Sequence, residues 1–127
     1  MKPLTREWVE KAEADWGTTQ REFRVRPAPN YDAVCFHAQQ CAEKYLKAYL
    51  QETETGFPRT HHLGALLDLA VHSDAGLEPL RSGLTQVSSL AVGTRYPGFT
   101  ADSELASQAI GICRQVRHTL RGRLGLQ

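Results

Sequence analysis

Six polar residues have types and spacings that could do chemistry together: Gln40, Lys44, Lys47, His62, Arg95 and Tyr96. Gln40, Lys44 and Lys47 are four and then three residues apart, so a helix projects one amide and two ammonium groups from adjacent turns. His62 falls at the start of the next helical segment, and Arg95 and Tyr96 fall in the last loop. Brought to one cleft, Lys44, Lys47, His62 and Arg95 would complement phosphate oxygens, while Gln40 and Tyr96 would add directional hydrogen bonds or stacking. Plainer readings compete. Glu43 and Lys47 can pair across one turn on a solvated face. Arg95 can be an internal strut of its loop, and the Gln40, Lys44 and Lys47 face can be a hydrogen-bonded seam between two copies of the chain.

Other chemistry finds little support. His61 and His62 are adjacent, which points their rings apart, and no Asp, Glu or Cys stands at a ligand spacing from either. H-E-x-x-H is missing, so no metal is expected. G-x-G-x-x-G and G-x-x-x-x-G-K-[ST] are missing too, so a phosphate must be held by side chains or a helix N-terminus. There is no G-x-S-x-G elbow, and no other cofactor is implied. Cys35, Cys41 and Cys113 are odd in number and form no C-x-x-C pair, which suits buried thiols of a reducing compartment.

The elements that must position these groups are helical. The central stretch is 30–51, free of Gly and Pro, with Val34, Ala38, Cys41, Ala42, Tyr45, Leu46, Ala48, Tyr49 and Leu50 on one arc. His37, Gln40, Glu43, Lys44, Lys47 and Gln51 take the other arc, and Asn30 is a good N-cap. A helix over about 5–24 precedes it, with Trp8, Ala12, Trp16, Thr19 and Phe23 as its stripe; Pro27 and Pro29 then stop it. Thr60 can cap a third helix over about 61–72, and Leu77, Leu80, Leu84, Val87 and Leu90 mark a fourth. Pro97 pushes Tyr96 toward an extended conformation, aiming the Arg95 and Tyr96 side chains apart. The last helix is expected from Thr100 to about Arg123, with Leu105, Ala109, Ile112, Cys113, Val116 and Leu120 inward. Arg114, Arg117, His118 and Arg121 flank that stripe, where the helix dipole alone favours cations.

No strand alternation and no internal repeat is visible, so the fold class is all-α, an up-and-down bundle of four to five antiparallel helices in one domain over 1–127. The net charge of +1 gives no global attraction to nucleic acid or an anionic membrane. The sequence lacks an apolar run long enough for a membrane span and an N-terminal hydrophobic leader, so a cytoplasmic location is expected.

Three blocks carry a resemblance: Tyr31 to Ala48 (YDAVCFHAQQCAEKYLKA), Phe57 to Leu63 (FPRTHHL) and Thr94 to Pro97 (TRYP). In order and spacing they resemble the prokaryotic HEPN domain family. That resemblance implies an all-α homodimer acting with a minimal nucleotidyltransferase, in a two-component toxin and antitoxin system or as a nucleotide-binding assembly. It also implies that many relatives are metal-independent ribonucleases using an Arg, four to six intervening residues and a His near the start of the last helix. This sequence departs from that pattern, because Thr100, Ala101 and Asp102 stand where the His is expected after Arg95. Arg114 and His118 are the only Arg and His close together later, one turn apart deep in the last helix, so RNA cleavage is the alternative. The favoured expectation is a non-catalytic subunit binding a nucleotide or its partner through Gln40, Lys44, Lys47, His62, Arg95 and Tyr96.

Overall fold

Five helices, with no strand, make up a computed structural model that describes residues 1–127. They are α1 (Pro3–Arg24), α2 (Tyr31–Glu52), α3 (Leu63–Ser73), α4 (Arg81–Gly93) and α5 (Ser103–Arg123), with a 3₁₀ turn (Ala75–Leu80) leading into α4. The antiparallel bundle is organised around α2, which packs against all four of the others and most extensively against α1 and α5. Val34, Ala38, Cys41, Ala42, Tyr45, Leu46 and Leu50 of α2 lie wholly inside one core cluster with Leu63, Leu66, Leu67, Leu77, Leu84, Val87, Val116 and Leu120. No helix is long and apolar enough to cross a membrane.

Local chemistry sets the helix ends, and several differ from the sequence expectation. Pro3 opens α1, where its missing N–H is no loss. Asn30 caps α2, its side chain accepting from Ala33 N at 3.0 Å. The cap of α3 is His62 rather than Thr60: His62 Nδ1 accepts from Ala65 N at 2.9 Å, and Thr60 Oγ1 takes the His62 N–H at 3.1 Å. The last helix begins at Ser103 and not Thr100, because Asp102 accepts from Leu105 N at 2.9 Å and so fixes the first turn. Just before it, Ala101 N donates to Asp32 Oδ1 at 2.8 Å, tying the α4–α5 loop to the first turn of α2.

Two apolar stripes are rotated from those expected. On α1 the buried positions are Thr5, Val9, Ala12, Asp15, Trp16 and Thr19, while Trp8 and Phe23 stay partly open. On α5, Ala106 and Ile110 are buried, and Leu105 and Ile112 sit at the margin.

Candidate functional site

Against expectation, α1 covers the polar arc of α2, and that arc is charge-matched. Asp15 lies on the buried side of α1 between Ala12 and Trp16. Its Oδ2 accepts from Lys44 Nζ at 2.5 Å, and its Oδ1 bonds His37 Nδ1 at 2.8 Å. Lys44 and His37 stand seven residues apart, two turns along the same face of α2, so one carboxylate serves both.

The next group along α2 centres on Glu43, whose side chain is only 3% exposed. It accepts from Lys47 Nζ at 3.1 Å and bonds His61 Nδ1 at 2.9 Å. The Gln39 amide reaches Glu43 at 3.4 Å and the His61 carbonyl at 3.3 Å, and Gln39 Oε1 accepts from Gln40 at 2.8 Å. Glu43 and Lys47 do pair across one turn, but inside the protein and not on a solvated face. The ammonium of Lys47 also stands 5.4 Å from the Trp8 ring centroid, a cation over a π face.

At the opposite end of α2 the Arg95 guanidinium lies over Phe36, 5.6 Å from its centroid. The edge of Phe36 meets the His37 ring at 5.1 Å, and His37 is bonded to Asp15. A continuous line therefore runs from Arg95 through Phe36, His37 and Asp15 to Lys44. Arg95 forms no ion pair, and beside it Tyr96 is 65% exposed, with Val92 and Phe99 also open to solvent.

The six residues chosen from sequence are thus spread over α2, the α3 cap and the α4–α5 loop and do not line one cleft. Arg95 and Tyr96 occupy the end near the start of α2; Lys44 joins Asp15 in an open depression of about 460 Å³ with Glu7, Glu10 and Lys11. Gln40 and Lys47 belong to the Glu43 group, and His62 uses its ring nitrogen to cap α3. Periodicity missed the carboxylates that hold the cations. An acid at position 15, in step with Ala12, Trp16 and Thr19, was the available signal, since a buried carboxylate demands a cation across the seam. Trp8, Phe57, Arg59 and His61 were missed as a group because three of them sit in a loop whose path no periodicity describes.

A third knot joins α1, α2 and α5. Arg117 donates to both oxygens of Glu13 at 2.7 Å, the Tyr45 hydroxyl donates to the same carboxylate, and Arg121 donates to the Tyr45 oxygen at 3.1 Å. The Arg117 hydrogen bond leads the causes that hold the Glu13 carboxyl below the usual glutamate range. Burial, followed by the bond to Glu13, pushes the Tyr45 phenol up. Arg114 is exposed on α5 with its guanidinium 5.7 Å from the Trp16 centroid, and Arg117 stands 5.4 Å from the same ring. His118, also exposed, has no carboxylate beside it. Burial pushes the Cys35 thiol up to about 11, with Asp32 adding to it, so that thiol is inert. No three His, Cys, Asp or Glu side chains converge as metal ligands do.

A family model described as HEPN domain matches residues 5–123. The chain belongs to the HEPN domain family. Solved structures agree on its fold. A structure described as ST0689, an archaeal HEPN homologue, superposes with a TM-score of 0.71 at 22% identity, over 97% of this chain and 98% of that one. TT1696 from Thermus thermophilus gives 0.76 at 20% identity, over 93% and 96%. Among curated proteins nothing matches. Within this HEPN bundle the stretch after Arg95 holds structural roles: the Ala101 amide is taken by Asp32, and Asp102 caps α5.

Proposed function

We propose that this chain is a non-catalytic HEPN subunit that forms a homodimer and binds a minimal nucleotidyltransferase, and with it a nucleotide, in a two-component, toxin–antitoxin-like system. One observation carries the reading: an unpaired Arg95 set among the exposed side chains of Val92, Tyr96 and Phe99, on a loop fixed to α2 through Asp32. Solvent-facing aromatic and aliphatic groups around one arginine have the composition of a recognition hot spot, in which Tyr and Arg dominate. The loop is pre-organised, so little ordering entropy opposes binding.

The charge pattern supports recognition ahead of acid–base chemistry. Lys44 and Lys47 already hold carboxylates, whereas Arg95 is exposed and holds none. A phosphate meeting Arg95 could take two parallel hydrogen bonds from its guanidinium.

Co-expression of the chain with a minimal nucleotidyltransferase from the same genome, followed by affinity capture, tests the reading. The two should co-purify, and Arg95→Glu with Tyr96→Ala should abolish the association while leaving the melting temperature within about two degrees, as expected of exposed positions. Co-purification unchanged by both substitutions would remove the loop as the contact. A monomeric variant in place of a dissociated complex would mean that the loop serves self-association instead.

A further inference from the structure

The other end of α2 carries a cleft that the Arg95 loop does not use. Its volume is about 600 Å³, within the usual range for small-molecule sites, and it is lined by Trp8, Lys47, Phe57, Arg59, Thr60 and His61. Trp8 and Phe57 meet edge to face, with centroids 6.3 Å apart and planes at 62°, so they form an aromatic corner open on one side. Arg59 is exposed at the rim and pairs with no carboxylate. Beneath the corner, Glu43 and Lys47 have been taken out of water, where an ion pair gives a helix face no more stability than apolar residues of the same volume. Packing alone does not call for that arrangement.

We propose that this cleft binds a planar aromatic ring bearing a single anionic group. Trp8 and Phe57 would take the ring by offset stacking and edge contact. The anion would lie between the Arg59 guanidinium, the Thr60 hydroxyl and the N–H groups of Lys47 that Glu43 does not use; an ammonium has three, and Glu43 takes one. The carboxylate of Glu43 cancels one of the two fixed positive charges, so one terminal anionic group, a carboxylate or a monophosphate of up to about two negative charges, suits the cleft better than a polyphosphate. Two sources share this chemistry, a nucleoside monophosphate and an aryl carboxylate. The inference adds a second site to the subunit proposed above and leans on that reading only in choosing a nucleotide as one probe.

The test uses the full chain, isothermal calorimetry and tryptophan fluorescence. The chain has two tryptophans, and Trp16 is buried, so Trp16→Phe leaves Trp8 as the reporter. AMP or benzoate should bind saturably and quench Trp8, with adenosine and inorganic phosphate each at least tenfold weaker. Arg59→Ala should weaken binding at least tenfold without moving the melting temperature. Binding of AMP alone assigns the phosphate source, and binding of benzoate alone assigns the carboxylate. No saturable binding of either below about 10 mM, an affinity ratio of one on Arg59→Ala, or equal binding of adenosine would overturn the proposal. If Trp16→Phe fails to fold, calorimetry on the unsubstituted chain measures the same affinities. Partner capture without ligand binding would sink only this inference, and ligand binding without partner capture only the earlier one.

Discussion

Lys44 Nζ lies 2.5 Å from Asp15 Oδ2, and this contact spans the seam between α1 and α2. Because His37 shares the same carboxylate, Asp15 is the one member of the trio whose loss leaves two groups without a partner.

Asp15→Ala should therefore destabilise the fold by about 3 kcal/mol, as expected when one partner of a mostly buried ion pair is removed. Lys44→Met should be milder, about 1 kcal/mol, since His37 still satisfies Asp15 and the methionine keeps the packing volume. Urea denaturation of the two variants checks the order. Equal losses would mean that the carboxylate is solvated and that its partners act independently.

Glu43 and Lys47 invite a double-mutant cycle. Lys47→Met alone leaves a carboxylate that is 3% exposed with only the His61 ring and the Gln39 amide as partners, and a loss of about 2 kcal/mol is expected. Glu43→Leu combined with Lys47→Met removes both charges together, and most of that loss should return. Additive losses in urea denaturation would show that the pair is not energetically coupled, and the buried-pair description would fail.

Acid sensitivity should trace to Glu13. Its carboxyl is held below the usual glutamate range, first by the Arg117 hydrogen bond. A depressed value in the folded state means that the contribution is fully present above the unfolded value of about 4.3 and is lost as pH falls through the lower folded value. Glu13→Gln should cost about 1 kcal/mol at pH 7, a modest figure because the group is about a third exposed. The gap between variant and parent should close as pH falls below the unfolded value of about 4.3. Thermal melts across that range supply the measurement, and a gap that stays constant would assign the effect to packing.

The bundle is legible in the sequence because its inward arcs are long and repeat without interruption. Val34 through Leu50 name the core side of α2, and Asn30 marks its start. Boundaries are harder where two capping groups compete. Thr60 and His62 both offer an acceptor to a backbone N–H, and only the chain's path decides that the imidazole closes α3. The polar arc of α2 is legible as polar but not as covered, since helical periodicity ranks residues by type and carries no information on what lies opposite. Asp15 supplies that missing half for Lys44, and Glu43 is covered as α1 and the His61 loop fold over it.

Phe36, beneath Arg95, and Lys47, beside Trp8, belong to the same unbroken helix, with about 16 Å of axial rise between them. That helix is clamped along its length by its neighbours, so it works as a fixed ruler. A molecule seated at one end and a protein seated at the other would be held at a set separation, and neither could approach the other unless the rod itself slid or tilted.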